Sequence, residues 1–97
     1  MNEFPQIEKT NVVCRNEEKF LISHLGDEIV LMDIQQGQYI NINPVGRSVW
    51  DKLATPVAVK DLITSLKEEY EISAAQCEEE TLKFLQKIGQ HNMLIVR

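Results

Sequence analysis

The residues able to carry out chemistry are few, and their spacing matches no catalytic or metal-binding motif. Neither of the two histidines, His24 and His91, has a spacing partner, so a surface or capping role is favoured over metal ligation. Glu78–Glu80 is the densest carboxylate run, but consecutive helical residues point in different directions, and acidic residues near a helix start complement its dipole. Glycine-rich phosphate loops, Gly-x-Ser-x-Gly elbows and His-Glu-x-x-His helices do not occur. We predict no catalytic site, no metal and no cofactor.

Composition narrows the class of protein further. The 97 residues suffice for one domain, and 43% hydrophobic with 26% charged residues is an ordinary globular balance. Cys14 and Cys77 lie far apart and outside any Cys-x-x-Cys pair, so both are interpreted as free thiols. No apolar run approaches the roughly 20 residues of a membrane span, and no secretory signal is visible. The expectation is a cytoplasmic protein without a membrane partner.

The charge balance argues against a nucleic-acid partner. Ten basic residues are outnumbered by fifteen acidic ones, which gives a net charge of −5 and a pI of about 4.9. Nucleic-acid binders gather Lys and Arg on one face, because phosphate contacts supply most of their affinity. Here the basic residues are scattered, so a nucleic-acid partner is disfavoured.

The best candidate for a binding element is a short strand after a turn. Glu28–Ile34 predicts one strand, and Gln38–Ile42 predicts a second that must run antiparallel to it, with Gly37 supplying a positive φ in the turn. Within the second strand, isoleucines alternate with Tyr39 and Asn41, so the two sets face opposite sides. Native proteins normally protect a free strand edge with charges. This strand carries few, which is typical of an edge that is used for binding.

A short N-terminal segment and two apolar stretches precede this hairpin. Residues 1–10 are expected to be loose, which leaves 11–97 as a single domain. Short apolar stretches at Asn11–Cys14 and Phe20–Ser23 predict a hairpin or a broken first strand.

Three helices are predicted after the hairpin. Asn43-Pro44 is a cap followed by a favoured first helical residue, and the apolar face of this helix is Gly46, Val49, Trp50 and Leu53. A second helix is predicted over Val57–Tyr70. Ser73 and Gln76 form a capping-box pattern for the third, whose apolar stripe is Cys77, Thr81, Phe84, Leu85 and Ile88. Asn92 predicts a left-handed cap, followed by an extended tail over Met93–Val96. The fold class is α+β, winged helix-turn-helix-like: an N-terminal antiparallel hairpin or three-stranded sheet followed by three helices.

Several short motifs follow one another at fixed spacing through this region. They are Val30-Leu31-Met32-Asp33, Gly37-Gln38-Tyr39 and Ile42-Asn43-Pro44-Val45-Gly46-Arg47-Ser48-Val49-Trp50. In this order the sequence resembles the PqqD-like domains, the recognition elements of pathways that make ribosomally synthesised and post-translationally modified peptides (RiPPs). Two positions depart from the family pattern: Ala58 stands where Thr often caps the second helix, and Asn92 replaces a frequent Gly.

The resemblance implies a binding function and a site. Such domains bind the leader of a precursor peptide and present it to partner enzymes without being catalysts. The leader is expected to add as a strand beside the hairpin's outer strand, in a groove shared with the third helix. The residues expected to bind it are Gln38, Tyr39, Ile40, Asn41 and Ile42 on the strand, and Glu78, Thr81, Leu82, Lys83, Leu85 and Gln86 on the helix. Ile42 and Leu85 are at least as well explained as core.

The pathway and the rival functions stay open. A free-standing domain resembles those of lasso-peptide pathways, which team with a leader protease and a cyclase, and those that serve radical SAM enzymes, including the pyrroloquinoline quinone route. The lasso type is the preferred expectation. The element order also fits a winged-helix DNA-binding domain, and the same strand edge could instead pair with a second copy to form a homodimer.

Overall fold

The computed structural model describes residues 6–26 and 28–97, and it shows strands at both ends of a helical segment. The strands are β1 Val12–Arg15, β2 Phe20–Leu25, β3 Glu28–Asp33, β4 Gln38–Ile42, β5 Val57–Ala58 and β6 Leu94–Val96. The helices are α1 Pro44–Lys52, α2 Val59–Glu69 and α3 Ala74–Gln90. This is the predicted α+β class, with three helices after the N-terminal strands.

Two antiparallel three-stranded sheets are formed by the described residues. One has the order β2-β3-β4 and the other the order β5-β1-β6. The predicted hairpin between the first two apolar stretches is therefore wrong, since β1 and β2 enter different sheets. The reason lies at the other end of the chain. The C-terminal tail returns as β6 and pairs with β1, so that Val13 and Leu94 are both buried.

The central hairpin follows the prediction. β3 and β4 pair antiparallel with Leu31 opposite Ile40, and Gly37 in the turn has a φ of +67°. A carboxylate oxygen of Asp33 accepts hydrogen bonds from the main-chain N–H groups of Gln35 and Gln36, at 2.9 and 3.1 Å. The turn is thus held by the last residue of β3 as well as by its glycine.

The first helix begins where the sequence predicts and packs closely on the end of β4. The Asn43 side chain accepts a hydrogen bond from the Gly46 N–H at 2.8 Å. A Cβ at Gly46 would lie 2.8 Å from Cγ2 of Ile42, so this approach needs glycine. Farther along α1, Trp50 is fully buried and makes a T-shaped contact with Phe20, with ring centroids 4.7 Å apart.

The boundaries of the other two helices have local causes. α2 begins at Val59, two residues later than predicted, because Val57 and Ala58 pair with β1. Ala58 makes no side-chain cap there. Ser73 caps α3 by accepting from the Gln76 N–H at 3.2 Å, and Asn92 after it has the predicted positive φ, at 61°.

The segment before β1 is partly packed. Residues 1–5 of the expected loose region lie outside the described residues. Ile7, by contrast, is 5% exposed, and Lys9 pairs with Glu78 of α3 at 2.9 Å. Packing therefore starts before residue 11. Cys14 and Cys77 are free, and Cys77 is buried as predicted for a helix core. No described helix has the length and apolar character to cross a bilayer.

Candidate functional site

The outer side of β4 is an unpaired edge within the described part of the chain. The Ile34 N–H donates to the Lys19 carbonyl, 3.4 Å away, in register with the β2–β3 ladder. Main-chain groups alternate in direction along an antiparallel strand. The main-chain N–H and C=O groups of Leu31 therefore point toward β4, where Leu31 pairs with Ile40. By the same alternation, the N–H and C=O groups of Tyr39 and Asn41 point away from β3. These two residues supply the free donors and acceptors of the edge.

The predicted strand residues divide between edge and core. Gln38, Tyr39 and Asn41 are exposed, and Tyr39, at 71%, is the most exposed large hydrophobic residue that the structure describes. Ile40 and Ile42 are buried at 4% and 2% exposure, so they face the core. The edge can thus offer main-chain hydrogen bonds and one exposed aromatic ring, while the isoleucines hold the strand in place.

A cavity of about 530 Å³ begins where β4 ends and lies between the three helices. Its buried floor is formed by Gly46, Val49, Leu66, Cys77 and Thr81. Half-buried walls are contributed by Tyr70, Ile72 and Phe84. The exposed rim consists of Asn43, Val45, Gln76, Glu80, Lys83 and Lys87. A mostly apolar depression with a polar rim, next to a free strand edge, is suited to an extended peptide with an inserted side chain.

The face of α3 that lines the cavity differs in part from the predicted one. Of the predicted helix residues, Thr81 and Lys83 line the cavity, whereas Leu85 is fully buried in the core. At 100° per residue, positions 78, 82 and 86 fall on the flank of α3 away from Phe84. The ion pair between Glu78 and Lys9 occupies that other flank. The structure therefore does not bring Glu78, Leu82 and Gln86 to the cavity.

Five of the α3 residues that line the cavity were not predicted for the site: Gln76, Cys77, Glu80, Phe84 and Lys87. Of these, Glu80, Phe84 and Lys87 follow one another at helical spacing. The apolar stripe of α3 was visible in the sequence, but a stripe has two flanks. Only the approach of Phe84 to Gly46, where an added Cβ would lie 3.3 Å from Cε1, shows which flank faces the end of β4.

A buried pair connects the hairpin to the end of α3. The Asp33 carboxylate, 2% exposed, lies 2.9 Å from Nδ1 of His91. Burial by itself would raise the pKa of Asp33. The hydrogen bonds from His91 and from the Gln36 and Gln35 N–H groups outweigh it and hold the pKa below its ordinary value. The contact therefore joins the end of β3 to the end of α3.

A second polar group supports the opposite wall. The Tyr70 hydroxyl lies 2.7 Å from Ser48 Oγ, which donates to Glu69 at 3.1 Å. Lys52 donates to the same carboxylate at 2.7 Å. The bond from Lys52, aided by that from Ser48, outweighs desolvation and lowers the pKa of Glu69. The network joins α1 to the end of α2 and orients the Tyr70 ring along the cavity.

Other kinds of site find little support in this geometry. Across residues 6–26 and 28–97, no group of three or more His, Cys, Asp or Glu side chains is placed to hold a metal ion. α3, which would be the recognition helix of a winged-helix protein, carries Glu78, Glu79 and Glu80 against Lys83 and Lys87. That acidic excess is the opposite of a phosphate-binding surface.

Comparison with known proteins gives one family and one similar structure. Residues 28–94 match the family model described as Coenzyme PQQ synthesis protein D (PqqD). No curated protein sequence matches significantly. The fold is similar to that of TbiB1, solved in complex with the TbiA(beta) leader peptide, with a TM-score of 0.70 and 23% identity. That similarity covers 79% of this chain and 90% of the TbiB1 chain.

Proposed function

The chain belongs to the PqqD family, and on this premise we propose that it binds the leader of a ribosomally synthesised precursor peptide and presents it to a partner enzyme. The family resemblance inferred from the sequence motifs is confirmed by the match over residues 28–94. The observation that carries the proposal is the free edge of β4 beside a cavity. A domain of the same fold, TbiB1, was solved with a leader peptide bound.

The leader adds to the sheet as a fourth strand next to β4. Its main chain bonds to the outward N–H and C=O groups of Tyr39 and Asn41, which give affinity that is independent of side chains. As the leader continues past Asn43, a side chain enters the cavity between the helices. Glu80 and Lys83 at the rim then favour leaders whose charges complement them.

A recognition element needs no chemistry of its own, and we assign none to this domain. Its contribution is to raise the local concentration of the precursor near an enzyme that acts on the core peptide. The lasso-peptide assignment, with its leader protease and cyclase, stays a prediction, and the radical SAM route is its alternative. A cytoplasmic location also stays a prediction. The genes beside this one identify the precursor and distinguish these routes.

The test is a titration with the leader encoded by that neighbouring precursor gene. A synthetic peptide of about 20 residues, long enough to span the strand and the cavity, is expected to bind with micromolar or better affinity in calorimetry. In ¹⁵N-labelled protein, amide shifts should concentrate at Gln38–Ile42 and at the cavity side of α3. Shifts confined to α2 or to the segment before β1 would refute the site. A scrambled peptide of equal composition is the control.

Two rival functions can be tested by simple measurements. A DNA-binding role requires a gel shift with duplex DNA at low salt, which the acidic face of α3 argues against. A role in dimerisation through β4 requires that the leader and a second copy compete. Sizing the protein across concentrations, with and without the leader, separates that case from peptide recognition.

A further inference from the structure

The floor of the cavity is apolar except at one residue. Thr81, on the buried side of α3, is 3% exposed and is, with Asp33, one of two buried polar or charged side chains among the described residues. Its neighbours on the floor are Gly46, Val49, Leu66 and Cys77. A hydroxyl in such surroundings needs a partner, because burying it unpaired costs free energy.

The other polar groups that border the cavity interior already have partners. The Cys77 thiol donates to the Ile63 carbonyl, 3.5 Å away, and the Tyr70 hydroxyl is paired with Ser48 at 2.7 Å. These groups do not depend on a ligand. Within the part of the chain that the structure describes, the Thr81 hydroxyl is then the floor's one side-chain hydrogen-bonding group without a partner.

The Thr81 hydroxyl makes no hydrogen bond within the residues that the structure describes. A helical threonine commonly bonds to the carbonyl four residues earlier, as Thr64 does here to Lys60 at 3.0 Å. Among residues 6–26 and 28–97, the fully buried side-chain N and O atoms without a partner are Arg15 Nε and Trp50 Nε1, and Thr81 Oγ1 is not one of them. The small exposed part of Thr81 therefore includes its hydroxyl, and the space it meets is the cavity.

We propose that Thr81 is a specificity-determining residue, whose hydroxyl bonds the neutral polar end of a large side chain inserted into the cavity. This deepens the proposed function and rests on it. A volume of about 530 Å³ accommodates an aromatic or long side chain. The charged residues Glu80, Lys83 and Lys87 are all at the exposed rim, so a charge carried to the floor would be unpaired. The side chain that fits is large, mostly apolar and neutral at its polar end.

Two small probes test this without knowledge of the leader sequence. 4-Methylphenol and toluene differ by one hydroxyl, and their dissociation constants are measured from amide shifts of the ¹⁵N-labelled domain. In Thr81→Val, which keeps the shape and removes the hydroxyl, the ratio of the toluene constant to the methylphenol constant should fall about three- to tenfold. Thr81→Ser, which keeps the hydroxyl, should retain the wild-type ratio. If Val perturbs the fold, Thr81→Ala supplies the same comparison.

An unchanged ratio in Thr81→Val overturns the proposal. So does the failure of both probes to shift the amides around Cys77–Phe84, since the cavity then does not receive a side chain. Selection of binders from one random peptide library on the wild type and on Thr81→Val separates this inference from the proposed function. The wild type should enrich tyrosine over phenylalanine at one position, and the variant should not. If both select the same peptides, leader binding stands and the role of Thr81 is refuted.

Discussion

Asp33 and His91 meet at 2.9 Å although 58 residues separate them in the chain. The carboxylate ends β3 and orders the turn into β4, while the imidazole belongs to the C-cap residue of α3. One contact therefore joins the end of β3, next to the turn into β4, to the C-terminal end of α3.

The Asp33 carboxylate should contribute stability that is lost in acid. Its folded pKa lies below the ordinary value of 3.8, so its contribution is complete above that value and is lost as the pH falls through the lower folded pKa. Urea unfolding followed from about pH 6 down to about pH 2 should show this loss in the wild type. In Asp33→Asn, the free energy of unfolding should depend less on pH over this range. An equal acid slope in the variant would contradict the assignment.

Removal of His91 should destabilise the domain. His91→Ala leaves a buried carboxylate with only its turn hydrogen bonds, which should lower the free energy of unfolding by about 1–3 kcal/mol. The matched control is His24→Ala, since His24 is exposed and should change the stability by less than about 0.5 kcal/mol. Equal effects of the two variants in urea unfolding would show that the contact with Asp33 is unimportant.

Alanine substitutions at the two glycines that flank β4 should destabilise the domain for different reasons. Gly46→Ala places a Cβ 2.8 Å from Ile42 and 3.3 Å from Phe84, so overpacking should cost about 1–3 kcal/mol. Gly37→Ala meets no neighbour within 4 Å, but its φ of +67° is strained for alanine and should cost about 1–2 kcal/mol. Thermal unfolding measures both costs. Only Gly46→Ala should also shift the amides around Phe84; identical shift patterns would reject this distinction.

A proline at the free edge should remove binding while sparing the fold. Asn41→Pro deletes an outward N–H and leaves the β3–β4 ladder intact, so leader affinity should fall about tenfold or more. The control is Ile22→Pro on β2, whose N–H also points away from β3 by the same alternation. That variant should bind the leader normally. Calorimetry gives the affinities, and amide spectra verify the fold. Unaltered affinity in a folded Asn41→Pro would exclude strand addition at this residue.

The two flanks of α3 should respond differently to truncation. Phe84→Ala opens the wall of the cavity and should weaken leader binding about tenfold, in line with the loss of a buried aromatic contact. Leu82→Ala removes a half-buried side chain from the other flank and should cost stability with little effect on affinity. Both variants are compared by calorimetry and thermal unfolding. The reverse pattern would favour the flank that carries Glu78, Leu82 and Gln86, which the sequence predicts for the site.

The local elements were predictable because their signals are local. The turn glycine at 37, the Asn43 and Ser73 caps and the left-handed Asn92 each act through neighbours a few residues away. The alternation in β4 likewise predicts which residues face the core. The start of α2 was misplaced by two residues, because pairing of Val57 and Ala58 with distant β1 competes with helix propensity.

The sequence by itself determined the fold class, the position of the β3–β4 hairpin and the family to which the chain belongs. It could not show that β1 pairs with β6, because that pairing joins residues about 80 positions apart without a local signal. Nor could it choose between the flanks of α3, since an apolar stripe defines the buried direction but not the neighbour on either side. Only the tertiary structure places Glu80, Phe84 and Lys87 beside the end of β4 and shows the Thr81 hydroxyl on the cavity floor without a partner among the described residues.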